Sequence, residues 1–153
     1  MGMSAYKKAR SIIEDVEEDA DVAGPKAEAL VSKAEQLLHL RFPPTYRRFL
    51  RELGAVEICG EELYGIVKSD FHNSGVPDAI WCTLAARRKL NLPADLVVIG
   101  DTGTGEFYCL QIMPDGSEGP VLTLDPRNPA SRQEVASDFG TYFLERIEDF
   151  EDD

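Results

Sequence analysis

Apolar residues recur at steps of three and four in the first third of the chain, which is the spacing of one face of an α-helix. This pattern predicts a first helix capped by Ser4, a second over 27–38 and a third that begins at Pro44. Gly54 is predicted to close the third helix with a positive φ, which glycine adopts readily. The apolar stripes consist of Tyr6, Ala9, Ile13, Val16 and Ala20, then Ala27, Leu30, Val31, Ala34, Leu37 and Leu38, then Tyr46, Phe49, Leu50 and Leu53.

After Gly54 the pattern changes to short apolar runs that favour β-strands. These runs predict strands over 63–67, 96–99, 107–113 and 121–124, a helix over 78–90 and a last helix over 135–147. The connections between the last three strands are too short for parallel crossovers, so these strands should pair antiparallel. We therefore expect an α+β fold in which an antiparallel sheet packs against N-terminal helices and a C-terminal helix.

The chain length of 153 residues predicts a single domain. Within this one globular unit we expect an N-terminal helix in 1–24 and the main domain in 25–147. Residues 148–153 are almost wholly acidic and are predicted to form a fraying tail.

Acidic residues outnumber basic ones, and their excess is unevenly distributed. Sixteen Lys and Arg against 28 Asp and Glu give a net charge of −12, of which residues 101–153 carry −10. Phosphates repel such a chain, so direct binding to nucleic acid or to an anionic membrane is not expected. Two interpretations remain open: the charge serves solubility, or it forms a surface that meets a basic partner.

The cysteines indicate a reducing compartment. Cys59, Cys82 and Cys109 are odd in number and show no CxxC spacing, which is typical of reduced thiols rather than of a disulfide framework. No apolar stretch approaches the roughly 20 residues that a membrane-spanning helix needs. We therefore expect a cytoplasmic protein.

The glycine-rich segment 100–105 invites comparison with phosphate-binding loops. Such loops present backbone N–H groups at the start of a helix, usually with a lysine. Here Asp101 and Glu106 flank the glycines and would repel phosphate, and strand-favouring residues follow from Phe107. We interpret the segment as a hairpin turn.

Candidate catalytic and metal-binding side chains are few. His39 falls on the polar side of the second helix. Asp70 and His72 could form the orienting half of a catalytic triad, but no nucleophile stands in an activating context. Cys59 and His72 lack a second pair at the spacing of zinc ligands. The sequence therefore predicts no catalytic residue, no metal and no cofactor, and we expect the protein not to be an enzyme.

Two groups of residues are candidates for binding another protein. Tyr64 and Trp81 are either core residues or aromatic anchors of an interface, where Trp and Tyr are enriched. Carboxylates could occupy the basic cleft with which a nuclease grips phosphates, if sheet pairing brings them to one rim. These candidate carboxylates are Glu57, Glu61, Glu62, Asp101, Glu106, Asp115 and Glu118.

Several segments resemble the SUKH superfamily, which contains fungal regulators of cell-wall synthesis and many bacterial immunity proteins. The opening motif is carried by Ala34-Glu35-Gln36-Leu37 and by 42–54, which reads FPPTYRRFLRELG. Segments 96–101 and 107–110 are similar to the central hairpin of that superfamily, and 120–122 and 136–144 to its last strand and closing helix. The resemblance covers roughly residues 25–147.

The resemblance implies an α+β fold with an antiparallel sheet wrapped by helices, and it carries no general set of catalytic residues. It also implies that bacterial members bind and neutralise a toxin of the same strain, often a nuclease or a deaminase. Our leading hypothesis is a non-enzymatic immunity protein whose partner is a cognate toxin domain, with a basic nuclease as the expected class. The alternative is a regulatory or scaffold module, and a hydrolase built around His72 is a third possibility.

Overall fold

A computed structural model gives the fold of residues 2–148, and the predicted acidic tail lies outside the described residues except for Glu148. The helices are α1 (Gly2–Asp15), α2 (Glu28–Leu38), α3 (Pro44–Glu52), α4 (Ala79–Leu90) and α5 (Phe139–Ile147). The strands are β1 (Ala20–Val22), β2 (Val56–Ile58), β3 (Glu61–Leu63), β4 (Leu96–Asp101), β5 (Phe107–Gln111), β6 (Val121–Asp125) and β7 (Asn128–Ala136). The α+β class is confirmed.

The strands form two antiparallel sheets. The first has three strands in the order β1-β2-β3, and the second has four in the order β4-β5-β6-β7. The Tyr64 N–H donates to the Ile99 carbonyl over 3.0 Å, so the end of the first sheet is tied to strand β4 of the second.

An aromatic part of the core lies where α1 and α3 pack against α5. Tyr46, Phe49, Phe139 and Phe143 are all buried there, and the ring centroids of Tyr46 and Phe139 are 4.8 Å apart. The i, i+3 and i+4 spacing that predicted α3 therefore points its aromatic residues into this core.

Gly54 has the predicted left-handed conformation, with φ of 79°. Its N–H donates to the Phe49 carbonyl over 3.0 Å, and the same carbonyl accepts the Leu53 N–H over 2.9 Å, so both bonds close the last turn of α3. A Cβ at Gly54 would also meet the Gly24 carbonyl oxygen, so the close approach of two backbone segments adds to the requirement for glycine.

Several predicted boundaries are wrong. Helix α1 begins at Gly2, so Ser4 lies inside it and does not cap it, and it ends at Asp15, so Val16 and Ala20 of the predicted stripe lie beyond it. The predicted strand 63–67 is replaced by a β2–β3 hairpin that ends at Leu63, because Gly65 instead bridges the segment before α4. Val135 belongs to strand β7, and α5 starts only after Asp138, whose carboxylate accepts the Thr141 N–H over 2.7 Å.

No helix among residues 2–148 combines the length and the apolar character that crossing a membrane requires.

Candidate functional site

An open, mainly apolar groove of about 280 Å³ lies between helix α4 and the ends of strands β4 and β5. We call it the Trp81 groove. Its wall includes Tyr64, Val76, Trp81, Leu90 and Phe107, with Asp101 and Lys89 among its few charged residues.

The start of α4 is fixed by a buried carboxylate. Asp78 accepts the N–H groups of Ile80 and Trp81 over 2.9 and 3.0 Å, as an N-cap residue does. It also accepts the Ser74 hydroxyl over 3.1 Å, so the loop before α4 is held to the same carboxylate. Burial raises the pKa of Asp78, against the lowering effect of these hydrogen-bond donors. The position of Trp81 relative to the loop is therefore set by Asp78.

A second contact fixes the helix to the sheet. The Val98 N–H of strand β4 donates to the Thr83 hydroxyl over 2.9 Å, and both groups are buried. Because Thr83 is two residues beyond Trp81, this hydrogen bond sets the distance between the helix and the strand that form the groove.

Some apolar side chains that line the groove are partly exposed to solvent. Val76 is 57% exposed and Leu90 is 37% exposed, whereas Tyr64 is buried and Trp81 is half-buried. Single exposed apolar residues are ordinary on protein surfaces, but residues that line one concave patch are typical of binding sites.

Next to the groove, three carboxylates stand side by side on the three-stranded sheet. Asp21 of β1 is directly opposite Glu57 of β2, and Glu57 is directly opposite Glu62 of β3. We call Asp21, Glu57 and Glu62 the acidic row. None of the ion pairs among residues 2–148 involves a member of this row. The Glu57 carboxylate accepts the Gly60 N–H over 3.0 Å in the β2–β3 turn. Like charges directly opposite each other in a sheet are nevertheless destabilising, so the row lowers the stability of the isolated sheet.

The acidic row lies in a second, shallow hollow of about 500 Å³ that adjoins the Trp81 groove. Val22 and Val67, which are 39% and 37% exposed, line this hollow together with Pro77. The peptide from Val76 to Pro77 separates the two concavities, because Val76 lines the groove and Pro77 lines the hollow. We call the groove and the hollow together the α4 face.

The charges of the α4 face act on the groove residues. Burial is the main cause that raises the pKa of the Cys82 thiol to about 12, and the negative charges of Asp78 and Glu62 make smaller contributions to that value. Burial likewise raises the pKa of Tyr64, with smaller contributions that include the charges of Asp101 and Glu62. Carboxylates therefore border the apolar groove as well as the hollow.

The structure brings five of the nine predicted partner-binding residues to the α4 face. These are Glu57, Glu62, Tyr64, Trp81 and Asp101. Whether they contact a partner stays a prediction.

The other four residues are not among those that line the α4 face. Glu118 accepts the N–H and hydroxyl of Thr45 over 2.9 and 2.8 Å at the start of α3, and the Glu61 carboxylate is paired with Arg146. Asp115 accepts the Ser117 hydroxyl over 2.6 Å within the β5–β6 turn. Glu106 lies in the β4–β5 turn, at the opposite end of β5 from Asp115. The seven predicted carboxylates therefore do not share one rim.

The hydrogen bond between Asp70 and His72 involves the backbone of His72. The Asp70 carboxylate accepts the backbone N–H of His72 over 3.3 Å and the side-chain amide of Asn73 over 2.7 Å. His39 is exposed and ends α2 in the left-handed conformation. Among residues 2–148 there is no group of three or more His, Cys, Asp or Glu that could hold a metal ion.

Sequence reasoning missed Asp21, Val76, Leu90 and Phe107 as parts of the site. Asp21 was overlooked because strand β1 has only three residues, two of them exposed, and gives no apolar alternation. The exposure of Val76 and Leu90 depends on tertiary packing, so no local signal in the sequence could reveal it.

A family comparison covers both parts of the α4 face. The model of the SUKH_5 family, described as SMI1-KNR4 cell-wall, matches residues 9–148. The chain belongs to this family. The SUKH_5 match extends from within α1 to the end of α5, so it includes the three-stranded sheet, α4 and strands β4 and β5. No curated protein shows significant similarity to the chain.

Proposed function

We propose that this SUKH_5 protein is a non-enzymatic, cytoplasmic immunity protein that binds a cognate toxin domain and blocks it, with a basic nuclease as the expected class. The observation that carries the proposal is the α4 face, where an open apolar groove adjoins carboxylates without cationic partners in residues 2–148. Such a surface combines the two properties of a protein interface, apolar anchoring and charge complementarity.

The charge of the protein supports a basic partner. A nuclease must attract phosphates and so carries a positive cleft, which a protein with a net charge of −12 approaches at an enhanced rate. The Asp21, Glu57 and Glu62 carboxylates repel one another in the isolated protein, and cations from a partner would relieve that repulsion.

The test is co-expression of the protein with toxin domains encoded next to its gene, with cell survival as the readout. We expect one such domain to kill cells alone and to be tolerated when the protein is present. In vitro, nuclease activity should reach zero at one equivalent of protein, because binding is stoichiometric. Neutralisation by a small fraction of an equivalent would indicate catalytic turnover and contradict the proposal.

Salt dependence provides a second readout. Charges separated by more than about 8 Å are screened at physiological ionic strength, so the association rate should fall as salt rises. The Glu57→Lys and Glu62→Lys variants should associate more slowly, whereas Glu134→Lys on the exposed strand β7 is the matched control.

A second candidate function follows from the description of the family, which names the cell wall. A regulatory or scaffold module would use the same α4 face for a cellular partner. Two results together would favour this alternative. The protein would not change cell survival with any neighbouring toxin domain, and it would bind stably to a component of cell-wall synthesis.

A further inference from the structure

We infer that the Trp81 groove receives an apolar side chain from a partner segment whose neighbouring lysine or arginine residues contact Glu57, Glu62 and Asp101. This inference deepens the proposed function and rests on it only for the identity of the partner. It assigns separate tasks to the two parts of the α4 face: the groove holds the partner, and the carboxylates attract and orient it.

The groove has the size and composition for an amino-acid side chain. Its volume of about 280 Å³ lies just below the roughly 300–1,000 Å³ typical of small-molecule sites. Val76 and Leu90 leave much of their surface in water, and an inserted apolar group would cover it at about 25 cal/mol per Å² of buried area.

The charges select the occupant. Asp101 lines the groove itself, and Glu62 is close enough to Cys82 and Tyr64 to raise the pKa of both groups beyond the effect of burial. Lys89, on the last turn of α4, is the cation that lines the groove together with Asp101. A segment with cations on the side of the acidic row is therefore complementary, and an acidic segment would be repelled.

The same charges disfavour a second copy of this chain as the occupant. Each copy has a net charge of −12, and a symmetric dimer through the α4 face would bring two copies of the acidic row into one interface. A partner of opposite charge encounters no such repulsion.

The sequence supplies a reporter for this site, since Trp81 is the one tryptophan in the chain. Protein labelled with 5-fluorotryptophan should give a single ¹⁹F resonance from the groove. The first probe is a displayed library of random short peptides, selected against the whole protein. We expect the enriched peptides to carry a large apolar residue flanked by Lys or Arg, and to shift the Trp81 resonance.

Substitutions at exposed positions separate the groove from general effects on folding. Val76→Ser and Leu90→Ser together should weaken peptide binding at least about tenfold, mainly through a faster dissociation rate. Val135→Ser is the matched control, because Val135 is an exposed valine, at 41%, on strand β7. Unfolding in urea should show that all three changes leave the protein folded.

Several outcomes would overturn the inference. One is a peptide library that shows no enrichment, and another is that the selected peptides bind the Val76→Ser, Leu90→Ser variant as tightly as the unchanged protein. A third is a Trp81 resonance that stays unmoved when peptide is added, and a fourth is a dimer of the protein that buries the groove.

The second probe is a neutralised toxin domain. If the double variant neutralises it as well as the unchanged protein does, the groove inference fails and the proposed function stands. If basic peptides occupy the groove but no toxin domain is neutralised, the groove inference stands and the proposed function fails.

Discussion

Two regions of the molecule are built from the same kinds of residue, aromatic rings and carboxylates, but with opposite results. Where α1, α3 and α5 meet, Phe49 is fully buried, and its ring centroid lies 5.0 Å from that of Phe139 and 5.3 Å from that of Phe143. On the α4 face, the aromatic residues Trp81 and Phe107 are only half-buried and line an open groove.

The carboxylates differ in the same way. Glu52, beside α1, accepts the Tyr6 hydroxyl over 2.6 Å, Arg10 Nη1 over 3.0 Å and Arg48 Nε over 3.1 Å. Glu57, in contrast, stands between two further carboxylates. Glu52 is neutralised by two arginines within the fold, whereas Glu57 accepts only the Gly60 N–H among the described residues and has no cationic partner there.

The largest effect that tests this comparison is expected in the aromatic core. Phe49→Ala should lower the free energy of unfolding by about 3–5 kcal/mol, because it removes a large buried ring and leaves a cavity. Trp81→Ala should lower it by less than about 2 kcal/mol, because part of the indole is already in contact with water. Urea unfolding of both variants measures the difference, and equal losses would show that the groove belongs to the core.

A smaller effect is expected at the carboxylates. Glu52→Gln should destabilise the protein by about 1 kcal/mol at neutral pH, because it weakens charge-assisted hydrogen bonds. Glu57→Gln should be neutral or slightly stabilising, because it relieves repulsion within the acidic row. Stability losses of similar size in both variants would contradict the contrast drawn between the two regions.

The stabilisation that Glu52 provides should depend on pH. Burial tends to raise its pKa, but hydrogen bonds from Tyr6 and Arg48 and the charges of Arg10 and Arg48 hold the pKa below its ordinary value. The Glu52 carboxylate therefore contributes its full stabilisation above the unfolded-state pKa of about 4.3. This stabilisation is lost as the pH falls through the lower pKa of the folded state. The stability difference between the unchanged protein and Glu52→Gln should consequently shrink between pH 7 and pH 3, as equilibrium unfolding at each pH would measure.

The smallest effect is expected at His72. This residue is exposed, and Asp70 is engaged by the backbone of His72 and by Asn73. His72→Ala should therefore leave toxin neutralisation within about twofold, which is below 0.5 kcal/mol. Loss of neutralisation in a folded His72→Ala protein would revive the hydrolase interpretation.

Local signals made α3 and α4 predictable from the sequence. Pro44 at the start and Gly54 after the end mark α3, and the Asp78 cap with a basic last turn marks α4. Tyr64 and Trp81 could be named as interface candidates on a different ground, because Trp and Tyr are enriched at interfaces.

The acidic row could not be predicted, because it depends on register. Strands β1, β2 and β3 have three residues each, too few to show alternation, and only their pairing places Asp21 beside Glu57 and Glu57 beside Glu62. The structural use of Glu118 was equally hidden, because its partner Thr45 is distant in the sequence.

The central claim is that the α4 face, and not the region around α1 and α5, is the surface that a toxin partner covers. Hydrogen–deuterium exchange of the protein alone and with a neutralised toxin domain tests this claim most directly. We predict slower exchange in the complex for residues 20–23, 56–67 and 76–90, with α1 and α5 unchanged. Protection of α1 and α5 with unchanged exchange on the α4 face would contradict the account.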